Sequence, residues 1–222
     1  LNRNSTGNTW VHPVIGGGRA AWLCLFFVLT QCGPPRVEWK LLSDEFASSW
    51  KAAGMAEEGV ISIKDGEISM QPGQPMTGVR FDPWEAADLP LTRYAIEFEA
   101  MRVEGNDFFG TVTFPVNETH VSLIIGGWGG TLVGISSLDD LDASENTTTG
   151  NAFFKNHEWH QVRVEVRDDD LRVWISGKLF VNVSIKGRKL GLRAGEIEKC
   201  APFGFTTYAT WARVRSVVVR RL

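Results

Sequence analysis

Apolar and polar residues alternate with a period of two along most of the chain beyond the first thirty-five residues. Tyr94, Ile96, Phe98 and Ala100 alternate with Ala95, Glu97 and Glu99, so one face is apolar and the other largely charged. Successive side chains of an extended chain point to opposite sides, which makes this stretch a half-buried strand. Val162, Val164 and Val166 alternate with Arg163, Glu165 and Arg167 in the same way. The acidic turn Asp168-Asp169-Asp170 follows, then Leu171, Val173 and Ile175, and Ser176-Gly177 turns the chain again into Lys178 to Val183. Two successive hairpins of this kind predict a meander. Further strands are expected over Val60 to Ile63, Asp107 to Phe114, His120 to Ile125, Leu132 to Ile135, Pro202 to Tyr208 and Ala212 to Arg220. No segment holds a helical apolar period for long, and only Asp44 to Ala53 reads as a short helix. About a dozen strands joined by Gly and Asp turns predict an all-β fold, an antiparallel β-sandwich of the jelly-roll type.

Residues 1–35 break the pattern. Gly16-Gly17-Gly18-Arg19 leads into the apolar run Ala20 to Leu29, which ends at Thr30-Gln31-Cys32-Gly33-Pro34-Pro35. A bilayer-spanning helix needs about twenty apolar residues, so this shorter run fits the core of a signal peptide. We therefore expect an N-terminal targeting segment over 1–35, a single β-sandwich domain over 36–222, and an exported protein of the bacterial cell envelope or periplasm. Leu29-Thr30-Gln31-Cys32 resembles a bacterial lipobox, which makes Cys32 the candidate site of lipidation and membrane attachment. Gln31 departs from the small residue of that motif, so ordinary signal cleavage and an uncleaved anchor stay open as alternatives.

Composition narrows the picture further. A chain of 222 residues suits one sandwich with a full core. With Arg3, Arg19 and no acidic residue in the first 35, the formal charge of −3 becomes −5 for the remainder, which argues against nucleic acid as a partner. Cys24 and Cys32 belong to the targeting segment, so Cys200 has no disulfide partner in the domain and is expected as a small buried hydrophobe. His120, His157 and His160 lack the spacing of zinc ligands, and structural roles are expected for them. No G-x-S-x-G elbow or phosphate-binding loop is present. Asn4, Asn117, Asn146 and Asn182 begin N-x-[ST] sequons, which matter only in a eukaryotic secretory pathway.

Residues 126 to 146 concentrate the candidate chemistry. Asp139, Asp140, Asp142 and Glu145 place four carboxylates close together between two strands, where glycosidic cleavage can draw an acid and a base. The bland alternative is a solvated loop whose Asp and Asn side chains cap turns. Asp140-x-Asp142-x-Ser144 also imitates the start of a calcium loop, although Glu145 and Asn151 stand where an EF-hand has Gly and its closing Glu. Ca²⁺ is thus the one cofactor to test, and no metal ligand is assigned. Gly126-Gly127-Trp128-Gly129-Gly130 flanks an indole with residues that lack side chains, so Trp128 could stack on a sugar ring or fold over the core. Asn106, Asp107 and Asn146 are candidates for holding hydroxyl groups, or for capping turns. Trp159 and Trp174 are expected in the core, and Trp211 at an exposed edge where it could meet a ligand.

Several segments are similar to bacterial members of the 3-keto-disaccharide hydrolase family. They are Gly105-Asn106-Asp107-Phe108-Phe109, Thr113-Phe114-Pro115-Val116, Ile125 to Gly130, Val133 to Asp139, Leu141 to Asn146, Trp159 to Val164 and Ala212 to Arg215. The resemblance covers roughly residues 38 to 222. It implies a concanavalin A-like or laminin-G-like jelly roll and a carbohydrate or glycoside ligand. For function it implies a sugar-directed domain, a hydrolase or lyase acting on 3-keto or related glycosides. A non-catalytic carbohydrate-binding domain and a structural envelope sandwich remain the alternatives, since a shared fold does not carry activity with it.

Overall fold

A computed structural model describes residues 37–222. The expected targeting segment, with Cys32, and the sequon at Asn4 lie outside the described residues. No described helix is long and apolar enough to cross a membrane.

Among the described residues fifteen strands run in the order β1 Glu38–Lys40, β2 Trp50–Ala52, β3 Ile61–Lys64, β4 Glu67–Met70, β5 Met76–Phe81, β6 Tyr94–Glu104, β7 Thr111–Val116, β8 Thr119–Gly126, β9 Leu132–Ser136, β10 Gly150–Asn151, β11 Trp159–Val166, β12 Asp170–Ile175, β13 Lys178–Ser184, β14 Gly204–Tyr208 and β15 Trp211–Arg221. They form two antiparallel sheets, as the alternating pattern predicts. The first has the order β13-β12-β11-β6-β15-β4-β3, with β1 added beside β15. The second has the order β10-β9-β8-β7-β14-β5-β2. The hairpins β11–β12 and β12–β13 make the expected meander.

Parity decides what each strand buries. Tyr94, Ile96, Phe98, Val162, Val164, Leu171, Val173, Val214 and Val219 face inward from the first sheet, against Val79, Phe81, Val112, Phe114, Leu123, Ile125, Val133 and Phe205 from the second. Trp84 closes one part of this core, with its ring 5.0 Å from Phe203 and 5.6 Å from Tyr94. The Tyr94 hydroxyl donates to the Pro115 carbonyl at 2.5 Å, so its polar end is satisfied inside.

Four expectations are corrected. Asp44–Ala53 is not a helix: only Ala47–Ser49 forms a single 3-10 turn, and the chain then extends into β2. Paired serines are weak helix formers, and extension lets Trp50 reach Phe81, Phe203 and Phe205, at 5.3 to 5.8 Å between ring centres. The strand expected from Asp107 starts only at Thr111, because the chain from Gly105 to Gly110, both at positive φ, is bent and unpaired as a strand. Trp159 and Trp174 are not core residues. His160 and Val162 point inward on β11, as do Val173 and Ile175 on β12, so both indoles take the outward parity. The guanidinium of Arg215 lies 4.0 Å from the Trp159 ring centre.

The connection between β13 and β14 crosses the outward side of the second sheet. It is fixed at one end by Asp139 N–H donating to the Lys189 carbonyl at 2.7 Å and Ser137 N–H to the Gly191 carbonyl at 2.8 Å. At the other end Ile197 packs with Phe108, Ile124, Leu132 and Ala143. The polar residues of the sheet on this side are satisfied: Thr113 and Ser122 hydroxyls lie 2.8 Å apart, and the Thr206 hydroxyl is 3.1 Å from the thiol of Cys200 on the strap. Cys200 is fully buried, and burial pushes its thiol pKa up to about 12.

Candidate functional site

Beside the strap, on the same side of the second sheet, two adjoining hollows of about 480 and 240 Å³ form a groove. Both are lined by Phe108, Trp128, Asp142, Arg193 and Tyr208. Asp107 and Glu145 border the wider one, and Glu196 and Ile197 the narrower. A third hollow of about 430 Å³, bordered by Ser136, Ser137, Asp140 and Leu192, shares Asp142, Glu145 and Arg193 with them.

Trp128 reaches this groove through a turn that only its neighbours permit. Gly126, Gly129 and Gly130 all have positive φ, and Trp128 itself stands at φ 49°. A bulky residue in the left-handed region is strained and persists only where its surroundings fix it. Asp107 supplies the fixing: one carboxylate oxygen accepts from the Gly129 N–H at 3.1 Å, the other from the Phe108 N–H at 2.8 Å. The indole is left 47% exposed. Tyr208, 38% exposed, stands against Phe108 at 5.5 Å between ring centres. Two exposed aromatic residues lining the same groove as carboxylates and a guanidinium suit a ligand that has an apolar ring face and hydroxyl edges.

The acidic loop splits into parts. Asp139 accepts from Arg188 Nε at 2.8 Å and from the Lys189 N–H at 2.9 Å, and the Arg188 guanidinium holds its pKa below the ordinary carboxylate value. Asp140 pairs with Lys189 at 2.8 Å and lines only the third hollow. Asp142 accepts from the Ser136 hydroxyl and the Ala143 N–H, both at 2.7 Å, and from the Arg193 guanidinium. Glu145 is exposed, and its carboxylate makes no hydrogen bond or ion pair among the described residues. Asn146 is buried and turned into the loop: its amide donates to the Ile135, Leu141 and Asp142 carbonyls at 2.7, 3.2 and 2.8 Å, and its oxygen accepts from the Thr148 N–H at 2.9 Å. Every polar atom of Asn146 is thus used internally.

Of the residues singled out in the sequence, the structure gathers Asp107, Trp128, Asp142 and Glu145 on one groove, with Asp140 at its extension. Asp139 and Asn146 hold the loop, and Asn106 is exposed and lines none of these hollows. Trp211 lies on the outward side of the other sheet, half-buried, with its indole N–H on the Ser69 hydroxyl at 3.0 Å. Arg193, Tyr208 and Phe108 were not anticipated. Arg193 sits in a strap with no periodic signal, and nothing local in the sequence places it against Asp142. Asp140 and Asp142 face separate basic partners, and no group of three His, Cys, Asp or Glu side chains among the described residues is placed to hold a metal ion.

Fold and groove together define a jelly-roll sandwich with an aromatic and acidic cleft beside the strap. The chain belongs to the family of 3-keto-alpha-glucoside-1,2-lyase-like domains, whose model matches residues 38–220. No curated protein matches the sequence. Among solved structures the chain is similar to the carbohydrate binding module CBM66 from Bacillus subtilis, at TM-score 0.50 and 8% identity over 78% of this chain and 95% of that one. It is also similar to apo Crh5 transglycosylase, at TM-score 0.52 and 11% identity over 83% of this chain and 82% of that one. At such identities the likeness shows the shared fold.

Proposed function

We propose that the groove takes a 3-keto glycoside and cleaves it by elimination across the first two carbons of the sugar ring. The observation that carries this reading is the meeting of Trp128, an unpaired Glu145 and the Asp142–Arg193 pair on one groove. The family match supports the choice of a 3-keto glycoside as the substrate class. A carbonyl at C3 acidifies the C2 proton, which in this scheme Glu145 accepts as general base. The electron pair left on C2 delocalises to the C3 oxygen as an enolate, where the Arg193 guanidinium is the available cationic partner. Collapse of the enolate forms the C1–C2 double bond, restores the carbonyl and breaks the bond from C1 to the leaving oxygen. Solvent, to which the groove is open, protonates that oxygen. Addition of water across the new double bond then gives the hydrolysis product, so lyase and hydrolase outcomes share the first step. Asp142 serves in this scheme by holding Arg193, and Trp128 and Tyr208 by stacking on sugar faces.

Incubation with 3-ketosucrose, followed by release of fructose, tests the reading. The wild-type chain is expected to release it, and Glu145→Gln to lose about 10²-fold or more in kcat, the usual size of a general-base contribution. Saturable binding of the glycoside without turnover would replace this reading by a non-catalytic carbohydrate-binding domain, which the two exposed aromatic rings also favour. Neither binding nor turnover would leave an envelope interaction sandwich. We further propose export, supported by the apolar run Ala20 to Leu29, with Cys32 lipidation as the form that mass spectrometry of the mature protein tests.

A further inference from the structure

We propose that Arg102, which lies outside the groove lining, is the positioning residue that sets where Trp128 presents its ring. The proposal rests on the groove reading above. Arg102 points inward near the end of β6, is 6% exposed, and has no carboxylate within salt-bridge distance among the described residues. A buried guanidinium without a paired counter-charge is costly, so its hydrogen bonds must offset the lost hydration.

Those bonds converge on the two loops that flank the Trp128 turn. Arg102 Nε donates to Asn156 Oδ1 at 2.7 Å, Nη2 donates to the Phe154 carbonyl, and Nη1 reaches the Asp107 carbonyl at 3.4 Å. The guanidinium lies 5.3 Å from the Phe109 ring centre. Asp107 is the residue whose carboxylate holds the Gly129 N–H. On the other flank, Ala152 N–H donates to the Thr131 carbonyl at 2.8 Å, directly after the turn. A Cβ placed on Gly130 would stand 3.0 Å from Arg102 Nη1 and 2.9 Å from the Asn106 carbonyl oxygen, so the turn rests on the guanidinium itself. Planar, forked donors can hold three acceptors in fixed directions, which an ammonium group on a flexible stem cannot. Burial lowers the Arg102 pKa and Asp107 opposes that shift, in line with a cation held just behind the turn.

The test compares Arg102→Lys and the milder Asn156→Ala with wild type, alone and combined with Trp128→Ala. Amide hydrogen exchange reads the turn without any ligand, and steady-state kinetics on 3-ketosucrose reads the groove. Arg102→Lys is expected to speed exchange at Gly129 about tenfold while the paired amides of β6 and β15 keep their protection. It is also expected to raise KM about tenfold with kcat within about twofold, and to change KM less than about twofold once Trp128 is gone. Asn156→Ala should move both readouts in the same direction by less. Faster exchange spread evenly over both sheets would make Arg102 a general stability element and overturn the proposal. So would an effect on KM that survives in the Trp128→Ala background. Should Trp128→Ala itself leave KM unchanged, the groove reading fails, and exchange at Gly129 still decides whether Arg102 sets the turn.

Discussion

Replacing Trp128 by Gly separates a ligand-facing indole from a core indole, because the two roles predict very different sizes of stability loss. A fully buried Trp costs about 3–5 kcal/mol when truncated, through lost burial and the cavity left behind. Trp128 is 47% exposed, so roughly half of that, about 2 kcal/mol, is the burial loss expected here. Against it stands the left-handed backbone at φ 49°, a conformation that costs a non-glycine residue about 1–2 kcal/mol and that glycine adopts freely. The two contributions nearly cancel, and Trp128→Gly should alter stability by no more than about 1 kcal/mol, or about 2–4 °C in Tm for a domain of this size. Trp84→Ala is the control. That indole is 1% exposed against Tyr94 and Phe203, and its loss should lower Tm by about 10 °C or more. Thermal denaturation of both variants beside wild type, with glycoside titration of Trp128→Gly, forms the assay. A Trp128→Gly chain that melts like Trp84→Ala would refute the argument and return Trp128 to the core.

Asn146→Ala should cost about 2–3 kcal/mol, because the Ile135, Leu141 and Asp142 carbonyls and the Thr148 N–H lose a buried partner; a denaturant titration with an unchanged midpoint would return Asn146 to the ligand candidates. Cys200, with its thiol pKa near 12, should resist a thiol reagent at pH 8 in the native state and react at once on unfolding. Acidification should destabilise the domain in two windows. Burial lowers the folded-state pKa of His120 and His160, so the unfolded chain takes up more protons and stability declines as pH falls below about 6.5. Glu99 and Glu196, held below the ordinary carboxylate pKa by Arg215 and Lys199, add stability above about pH 4.3 that is lost as pH falls through their folded pKa values. A stability profile that stays flat from pH 7 to pH 3 would contradict both assignments.

The two-sheet architecture was legible because strand parity is a local property. Tyr94 to Ala100 and Val162 to Ile175 state which side chains turn inward, and burying that side requires a second apolar sheet. The same parity, followed strictly, places Trp159 and Trp174 outward; residue type was the misleading guide there, since stacked arginines can cover an indole as well as a core can. Asp44–Ala53 failed as a helix because local propensity yields to the burial of Trp50 among three phenylalanines. The candidate site was half legible. Trp128 between glycines and the carboxylates Asp107, Asp142 and Glu145 are clustered or flanked in the sequence itself, so their chemistry could be read from it. Arg193, Tyr208 and Arg102 could not be read, because each acquires its role from a partner far along the chain: Asp142 across the strap, Phe108 across the sheet, and Phe154 with Asn156 across the end of the sandwich. By itself the sequence determined the alternation, the turns and hence the sandwich. Only the tertiary structure decided which carboxylates stay unpaired and face a groove, because that depends on which basic side chain the strap brings within hydrogen-bonding distance.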